Sequence, residues 1–460
     1  MPRPAAILSA LMPRLGFGAP IEALWLLTIV SVPLVFGPPG WLAFFEVPKI
    51  ALMRTLVALI LAAWTLDVAL RVAARGLPAA AGWRERAAGW LNAYPPRWTL
   101  VAAAATALVA AASTLASPVP LTALWGFEQG GEGRSLLSIA SVLALFFAIA
   151  LRLRSERMAW RLVAAIGLVT AVAAGYVVVQ GFGMDPFELG RLLPGRVVGS
   201  FGNPIFAAAA LLMGLPLILA GALAAAAWRS PAVSLAVGAG AAGVTATAIT
   251  LTMARGPWVG AIVAVGIFLA VGWRILPPHL RWRLVVLSAA SAAVALGLLA
   301  TINDPRGGGA SLSATVERAG SIPAAASDGL TGRRQIWETS IEIALSRPWF
   351  AFEEGEGGPD GRPVVLRHLL GYGPDSFPYV LPLRQIPPVS EPVRLNRHAH
   401  NQHLNMLVEQ GILGFLVSLG MTAVPLVAGG YVLVRRAAAD PWRTRLLLLG
   451  VLSALAGRAV

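Results

Sequence analysis

The segment 203–227 reads NPIFAAAALLMGLPLILAGALAAAA and contains no charged residue. An α-helix needs about 20 apolar residues to cross the hydrocarbon core of a bilayer, and this segment is long enough to do so. Inside lipid the backbone N–H and C=O groups must bond within the segment itself, which favours a helix. The sequence therefore predicts a membrane-spanning helix here, with Asn203 as its N-cap and Pro204 in its first turn.

The whole chain resembles this segment in character. It has 460 residues, of which 57% are hydrophobic and only 13% charged, and its mean hydropathy is +0.72. Soluble domains carry about 25% charged residues. We therefore predict an all-α, polytopic transmembrane bundle of eleven or twelve helices, with eleven apolar runs at 20–37, 49–70, 99–117, 135–151, 158–180, 203–227, 231–252, 256–273, 283–302, 404–434 and 444–460.

The distribution of arginine predicts the orientation of the bundle. Lys49 is the only lysine, and the connecting segments on one side are much richer in arginine than the short loops on the other. Cytoplasmic loops collect basic residues, so we place the N-terminus in the cytoplasm, without a cleaved signal peptide. The net charge of +14 is then explained by these loops rather than by nucleic-acid binding. The chain has no cysteine, which excludes a disulfide or a thiolate site.

One connection is far longer than the others. We divide the chain into helices one to nine (1–302), an external loop (303–403) and two final helices (404–460). Loops longer than about 15 residues are usually functional or disordered. Within this loop, the Gly-, Ala- and Ser-rich part up to residue 332 is expected to be flexible, and residues 333–350 have the apolar spacing of an amphipathic helix.

Four arginines lie where a charge is costly unless it has a partner. Arg255 falls in TMARGPWVG, in a short break between two apolar runs, and either reaches the lipid headgroups or binds an anion. Arg196 precedes the helix capped by Asn203, where free N–H groups suit a phosphate, although ordinary capping explains the pattern too. Arg333 and Arg334 stand beside Trp337 and contact either anionic headgroups or a lipid-linked phosphate.

Three of the five histidines lie in RHAHNQHLN, residues 397–405. A metal site, a pH-dependent switch and a general base are the alternatives. No carboxylate lies among the histidines, and a metal needs three or four ligands. A helix N-terminus near His400 and the like charge of Arg397 both disfavour imidazolium, and a neutral imidazole can accept a proton from a hydroxyl. Asn401 can cap this helix or hold the imidazole.

Together these stretches resemble the O-antigen ligase and polymerase superfamily, bacterial inner-membrane glycosyltransferases of the C type. The resemblance rests on four motifs in order: GRVVGSFGNP (195–204), MARGPW (253–258), GRRQIW (332–337) followed by GYGPDSF (371–377), and RHAHNQHLNMLVEQGILG (397–414). It covers the chain from about residue 100 onward. The chain departs from the family in its helix count, which is usually twelve, and in an insertion at 349–370.

The resemblance implies transfer of a glycan from an undecaprenyl-pyrophosphate carrier at the periplasmic face. The acceptor hydroxyl lies on lipid A core for a ligase, on a carrier-linked glycan for a polymerase, or on a protein for an O-oligosaccharyltransferase. No metal, nucleotide sugar or other cofactor is implied; the partners are the lipid-linked donor, a lipid or glycan acceptor and membrane lipids. Two further classes are a lipid-linked glycan transporter, for which we see no internal repeat, and a scaffold protein.

By match to the family, His400 activates the acceptor while Arg255 and Arg333 hold the pyrophosphate. Arg196 is expected beside these arginines. His398 and His403 match no family position and are assigned packing or rim roles. The predicted substrate-binding set is completed by Arg334, Asn401, Asn203, Trp337 and Tyr372.

Overall fold

A computed structural model describes residues 17–40, 43–76, 82–126, 133–189, 196–227, 230–302, 312–348, 364–384, 398–435 and 441–459. Over these ranges the chain is all-α and contains no strand, which confirms the predicted fold class. Each of the eleven predicted runs coincides with a helix. The helices are α1 (Gly18–Leu34), α2 (Glu46–Arg75), α3 (Trp83–Ala93), α4 (Trp98–Leu115), α5 (Pro120–Trp125), α6 (Leu136–Arg152), α7 (Glu156–Gly181), α8 (Pro204–Ala225), α9 (Pro231–Leu251), α10 (Arg255–Ile275), α11 (Pro278–Thr301), α12 (Leu312–Gly320), α13 (Ile322–Ser346), α14 (Val364–Leu370), α15 (Phe377–Val380), α16 (Gln402–Arg435) and α17 (Trp442–Ala459).

Within the described ranges, eight helices are long and apolar enough to cross a membrane: α2, α4, α7, α8, α9, α10, α11 and α16. Two shorter apolar helices, α1 and α6, accompany them. Helix α17 has 18 residues and carries Arg443, Arg445 and Arg458. These helices make the protein a multi-pass membrane protein, while the predicted orientation stays a prediction.

The helices form two compact units. The larger contains Met1–Pro96, Ala144–Gly320 and Pro425–Val460, and the smaller contains Arg97–Leu143 and Ser321–Val424. The predicted division at residues 302 and 403 followed hydropathy and stays a prediction, whereas the two units follow contacts between distant parts of the chain.

Helix α8, which forms most of the uncharged segment 203–227, lies at the centre of the larger unit. It packs against α7, α9, α10 and α17, and it is the most completely buried of the eight candidate spans. A helix that is apolar on every side is expected in such a central position. Small residues let the helices approach closely: a Cβ on Gly260 of α10 would lie 2.4 Å from the carbonyl oxygen of Gly457 on α17.

Two helices correct one prediction about the long loop. The described part of the segment expected to be flexible is helical, with α12 at Leu312–Gly320 and α13 beginning at Ile322. Pro323 stands in the first turn of α13, where it is well tolerated. The composition is rich in alanine, the strongest helix former, and this outweighs the glycine and serine that indicated flexibility. Helix α13 ends at Ser346, two residues before Pro348, which cannot continue a helix.

Helix α16 is not the straight span that its apolar pattern predicted. Gly411 has φ 67° and ψ −163°, which interrupts the helix. His403 Nδ1 lies 2.8 Å from Ser418 Oγ, so the parts before and after Gly411 bend back beside each other. A Cβ at position 411 would lie 2.4 Å from the Leu369 carbonyl oxygen, so glycine is required by space as well as by backbone angle.

A buried arginine donates hydrogen bonds to backbone carbonyls just before this interruption of the helix. Arg347, only 3% exposed, donates from Nη1 to the Val408 carbonyl at 3.0 Å and from Nη2 to the Leu407 carbonyl at 2.8 Å. Gly373 N–H and Ser113 Oγ bond the next carbonyl, that of Glu409. Burial lowers the pKa of Arg347, but an arginine stays charged at neutral pH.

Replacing Arg347 by methionine should therefore destabilise the smaller unit. It removes two hydrogen bonds from a charged donor and leaves two buried carbonyls open, at a cost of about 1.5–3 kcal/mol for each such bond. We expect a clear fall in the apparent Tm of the detergent-solubilised protein. Arg384→Met is the matched control, because Arg384 is exposed and pairs only at the surface. An equal Tm for the two variants would contradict the capping role of Arg347.

Candidate functional site

Asn401 determines where helix α16 begins. Its side-chain Oδ1 accepts the backbone N–H groups of His403, at 3.0 Å, and Leu404, at 3.2 Å. This is N-capping geometry, and it places the exposed His400 immediately before the cap. The positive end of the helix dipole therefore lies next to His400.

The backbone around His400 is held from two sides. The carbonyl of the preceding residue, Ala399, accepts the indole N–H of Trp337 at 2.9 Å. The backbone N–H of Ala399 donates to Asn405 Oδ1 at 3.1 Å. His400 itself has a φ of +51°, in the left-handed region that a non-glycine residue occupies only when its surroundings impose it. The backbone that carries the imidazole is thus held by its surroundings.

Trp337 also links this loop to Arg333. Residues 333 and 337 are one turn apart on α13 and share a helix face. The same face continues through Ser340 and Ala344, which are buried, to Arg347 at its end. The hydrogen bond from Trp337 to Ala399 therefore brings the face that carries Arg333 to the loop that carries His400.

The neighbouring arginines 333 and 334 differ in their partners. Arg334 Nε lies 2.7 Å from Glu338 Oε1, one turn along the exposed side of α13, and this carboxylate raises the pKa of Arg334. Arg333 is exposed and forms no hydrogen bond or ion pair with any residue that the structure describes. Among the described residues, the charge of Arg334 is therefore paired and that of Arg333 is not.

The three histidines separate into two groups. The rings of His398 and His400 lie with centroids 4.2 Å apart, so His398 stands at the rim of the same loop. His403 instead turns toward Ser418 on the returning part of α16. This arrangement does not gather the three rings around one point. Arg397, the expected like-charged neighbour, lies outside the described residues.

Tyr372 is placed in the packing of the smaller unit. It is fully buried, and its hydroxyl donates to the Pro348 carbonyl at 2.5 Å. Burial raises the pKa of the Tyr372 phenol to about 12, so it remains a donor. Its ring also lies against Arg347, with 5.7 Å from the guanidinium carbon to the ring centroid. These contacts hold the end of α13 and leave the hydroxyl turned away from solvent.

In the larger unit, Arg196 lies in a loop fixed by a buried amide. Gln180 Oε1 accepts the N–H groups of Val198 at 3.2 Å and Gly199 at 2.8 Å. The side chain of Asn203 accepts the Ile205 N–H at 2.8 Å and caps α8 as predicted. Asn203 therefore has a structural task in this loop.

The Arg196 side chain reaches the break before Arg255. Its Nε donates to the Thr252 carbonyl at 3.2 Å, three residues before Arg255 opens α10. Burial, together with the positive charge of Arg318, lowers the pKa of Arg196. Within the described chain this is the one hydrogen bond of the Arg196 guanidinium, so its two Nη groups remain available for an anion.

Arg255 occupies a position where a cation is unfavourable by itself. It is the first residue of α10, after Ala254, and positive charge opposes the dipole at a helix N-terminus. Trp258 Nε1 donates to the Ile249 carbonyl at 3.0 Å and fixes the break between α9 and α10. Within the larger unit, Arg196 thus lies at the start of the helix that Arg255 opens. Within the smaller unit, the helix of Arg333 contacts the loop of His400.

Sequence reasoning missed the buried polar residues of the smaller unit. Glu409, Gln410 and Asn405 are 1%, 0% and 4% exposed, although all three lie in a segment interpreted as a membrane helix. The signal was present in the sequence, because an ionisable residue inside an apolar run usually faces a protein interior rather than lipid.

The fold and these polar loops define a class, that of multi-pass helical membrane proteins with several cationic loop sites. The O-antigen ligase family model matches residues 240–353. The match confirms the predicted resemblance to the O-antigen ligase superfamily, and it supports glycan transfer of the ligase or polymerase type by a membrane enzyme. It includes Arg255, Arg333 and Trp337 and leaves out Arg196 and His400. A comparison with curated proteins found no match.

Proposed function

We propose that this protein transfers a glycan from an undecaprenyl-pyrophosphate carrier to an acceptor hydroxyl at the periplasmic face of the inner membrane, in the manner of an O-antigen ligase. The observation that carries the proposal is the Trp337–Ala399 hydrogen bond of 2.9 Å. It joins the helix of an available arginine to the loop of an exposed histidine. A cation for the leaving group and a base for the acceptor are the two groups that such a transfer requires.

His400 takes the proton of the acceptor hydroxyl as its oxygen forms a bond to the anomeric carbon. The bond between the anomeric carbon and the phosphate oxygen breaks, and the electron pair leaves with undecaprenyl pyrophosphate. Arg333 stabilises the charge that develops on the leaving phosphate, as preorganised donors do in other transfers. Arg196 and Arg255 keep the pyrophosphate-binding role that the family resemblance implies.

The direct test uses purified protein, a lipid-pyrophosphate-linked glycan and lipid A core as acceptor. Formation of the glycosylated acceptor together with free undecaprenyl pyrophosphate supports the proposal. Deletion in the native strain then identifies the acceptor: loss of all lipid-attached glycan supports a ligase. A surface carrying single repeats would instead indicate a polymerase, and unmodified protein with intact lipid-linked glycan would indicate a protein transferase.

Removal of divalent cations should leave the transfer unchanged. In the proposed reaction the guanidinium groups neutralise the pyrophosphate, a task that Mg²⁺ often performs for phosphates. We expect equal initial rates in excess EDTA and in its absence. A loss of activity in EDTA that Mg²⁺ restores would show that a metal, rather than the arginines alone, carries the charge neutralisation.

A further inference from the structure

Glu409 is a buried carboxylate that the proposed reaction does not use. It is 1% exposed, and its Oε1 accepts the Phe377 N–H at 3.3 Å. The side-chain amide of Asn405, one turn earlier on α16, donates to the same carboxylate. Arg134 and Asp375 also act on it electrostatically. A buried carboxylate is costly, so one held by two donors in this position requires a reason.

The carboxylate determines the orientation of the Asn405 amide. Glu409 already accepts the Phe377 N–H, and as an acceptor it faces the NH₂ of the Asn405 amide rather than the amide oxygen. The Asn405 Oδ1 then points the other way, where it accepts the Ala399 N–H at 3.1 Å. With the amide reversed, an NH₂ group would face the Ala399 N–H and the contact would be lost.

These contacts form a continuous chain to the proposed base. It runs from Glu409 through Asn405 to the N–H of Ala399, the residue before His400, while Trp337 holds the carbonyl of the same residue. The backbone of Glu409 is itself fixed, because its carbonyl accepts the Gly373 N–H at 2.7 Å. The residue before His400 is therefore held at its N–H and at its carbonyl, directly next to the left-handed φ of His400.

We propose that Glu409 and Asn405 are positioning residues, which orient the His400 loop toward the acceptor through the Ala399 backbone. This inference rests on the proposed function of His400. Neither residue touches a substrate. Their effect should appear in the turnover of the folded enzyme, since displacing a reacting group by about 1 Å can cost about 10²-fold in rate.

The test exchanges the two functional groups. The Asn405→Asp variant loses the amide NH₂ that donates to Glu409, and the chain breaks. In the double variant Asn405→Asp/Glu409→Gln, the new amide at position 409 donates to the new carboxylate at position 405 and accepts the Phe377 N–H through its oxygen. The carboxylate at position 405 still accepts the Ala399 N–H. We expect kcat to fall about 10²-fold in N405D with donor KM nearly unchanged, and to return to within about threefold of wild type in the double variant.

Asn92→Asp is the matched control, because it makes the same amide-to-acid change at an exposed position of α3. The kcat is measured per folded enzyme, with the apparent Tm in parallel. If N405D does not fold, Asn405→Ala, which adds no charge, is the variant scored. A purely structural role predicts a lower Tm with kcat unaltered in the folded fraction, and that result would overturn the inference.

The inference and the proposed function fail in different ways. If a His400→Ala variant transfers glycan normally, the proposed role of His400 is wrong. The positioning role of Glu409 and Asn405 is then wrong as well. An inactive His400→Ala variant beside an N405D variant of wild-type kcat overturns the positioning role alone. A double variant as slow as N405D overturns it as well, because the exchanged groups would then not act on each other.

Discussion

Replacing His400 by alanine is expected to lower glycan transfer about 10²–10⁴-fold, the usual effect of losing a general base. The structure supports this position in particular. The imidazole is exposed, precedes a helix capped by Asn401, and stands in a loop tied to the helix of Arg333. Transfer from the lipid-pyrophosphate donor, measured as initial rate with saturating acceptor, is the appropriate assay.

His279→Ala is the matched control for this variant. His279 is exposed in the larger unit, so its loss should leave both expression and rate unchanged. His403→Ala is the informative neighbour, since His403 forms a hydrogen bond with Ser418 within α16. Its loss should lower the apparent Tm and leave kcat nearly unchanged. Full transfer by the His400 variant would exclude the imidazole as base and would require another group for that role.

The membrane helices were predictable because their signal is local. An apolar run of span length has one conformation available in lipid, and the sequence located each of the eleven runs correctly. Even the central position of α8 agrees with its lack of any polar face. In such segments the local sequence is enough to predict that a helix forms.

The interruption of α16 was not predictable in the same way. Gly411 stands in EQGILG within an otherwise apolar pattern, and an isolated glycine in a helix is usually tolerated. The reason for the bend lies elsewhere, in Arg347 from α13 and in the close approach of the Leu369 carbonyl. Those partners are about 40 to 60 residues away along the chain, which local reasoning does not connect.

In the candidate site, too, local features were predictable from the sequence and contacts between distant residues were not. The local pattern offered Asn401 as a cap or as a partner of the imidazole, and the structure shows the cap. The link between Trp337 and Ala399 spans 62 positions, so residue spacing alone did not predict it. The pairing of Arg334 with Glu338 was readable from the sequence as an i, i+4 pair, and that spacing is enough to distinguish Arg334 from Arg333.

Replacing Arg333 by alanine should cost about 10²–10³-fold in rate, the typical loss when one donor to a developing charge is removed. Arg333→Lys should restore only part of this rate, because an ammonium group does not reproduce two parallel hydrogen bonds to phosphate. Arg334→Ala, at the next position, is the matched control. It removes an exposed partner of Glu338, and such exposed pairs contribute little.

The comparison of the two arginines separates leaving-group stabilisation from general attraction of an anionic donor. If Arg333 acts on the transition state, its loss lowers kcat and kcat/KM together while donor KM changes little. If the positive charge of α13 only attracts the donor to the membrane surface, Arg333→Ala and Arg334→Ala will raise donor KM equally, and higher salt will reproduce the effect. Equal behaviour of the two variants would therefore remove Arg333 from the chemical step.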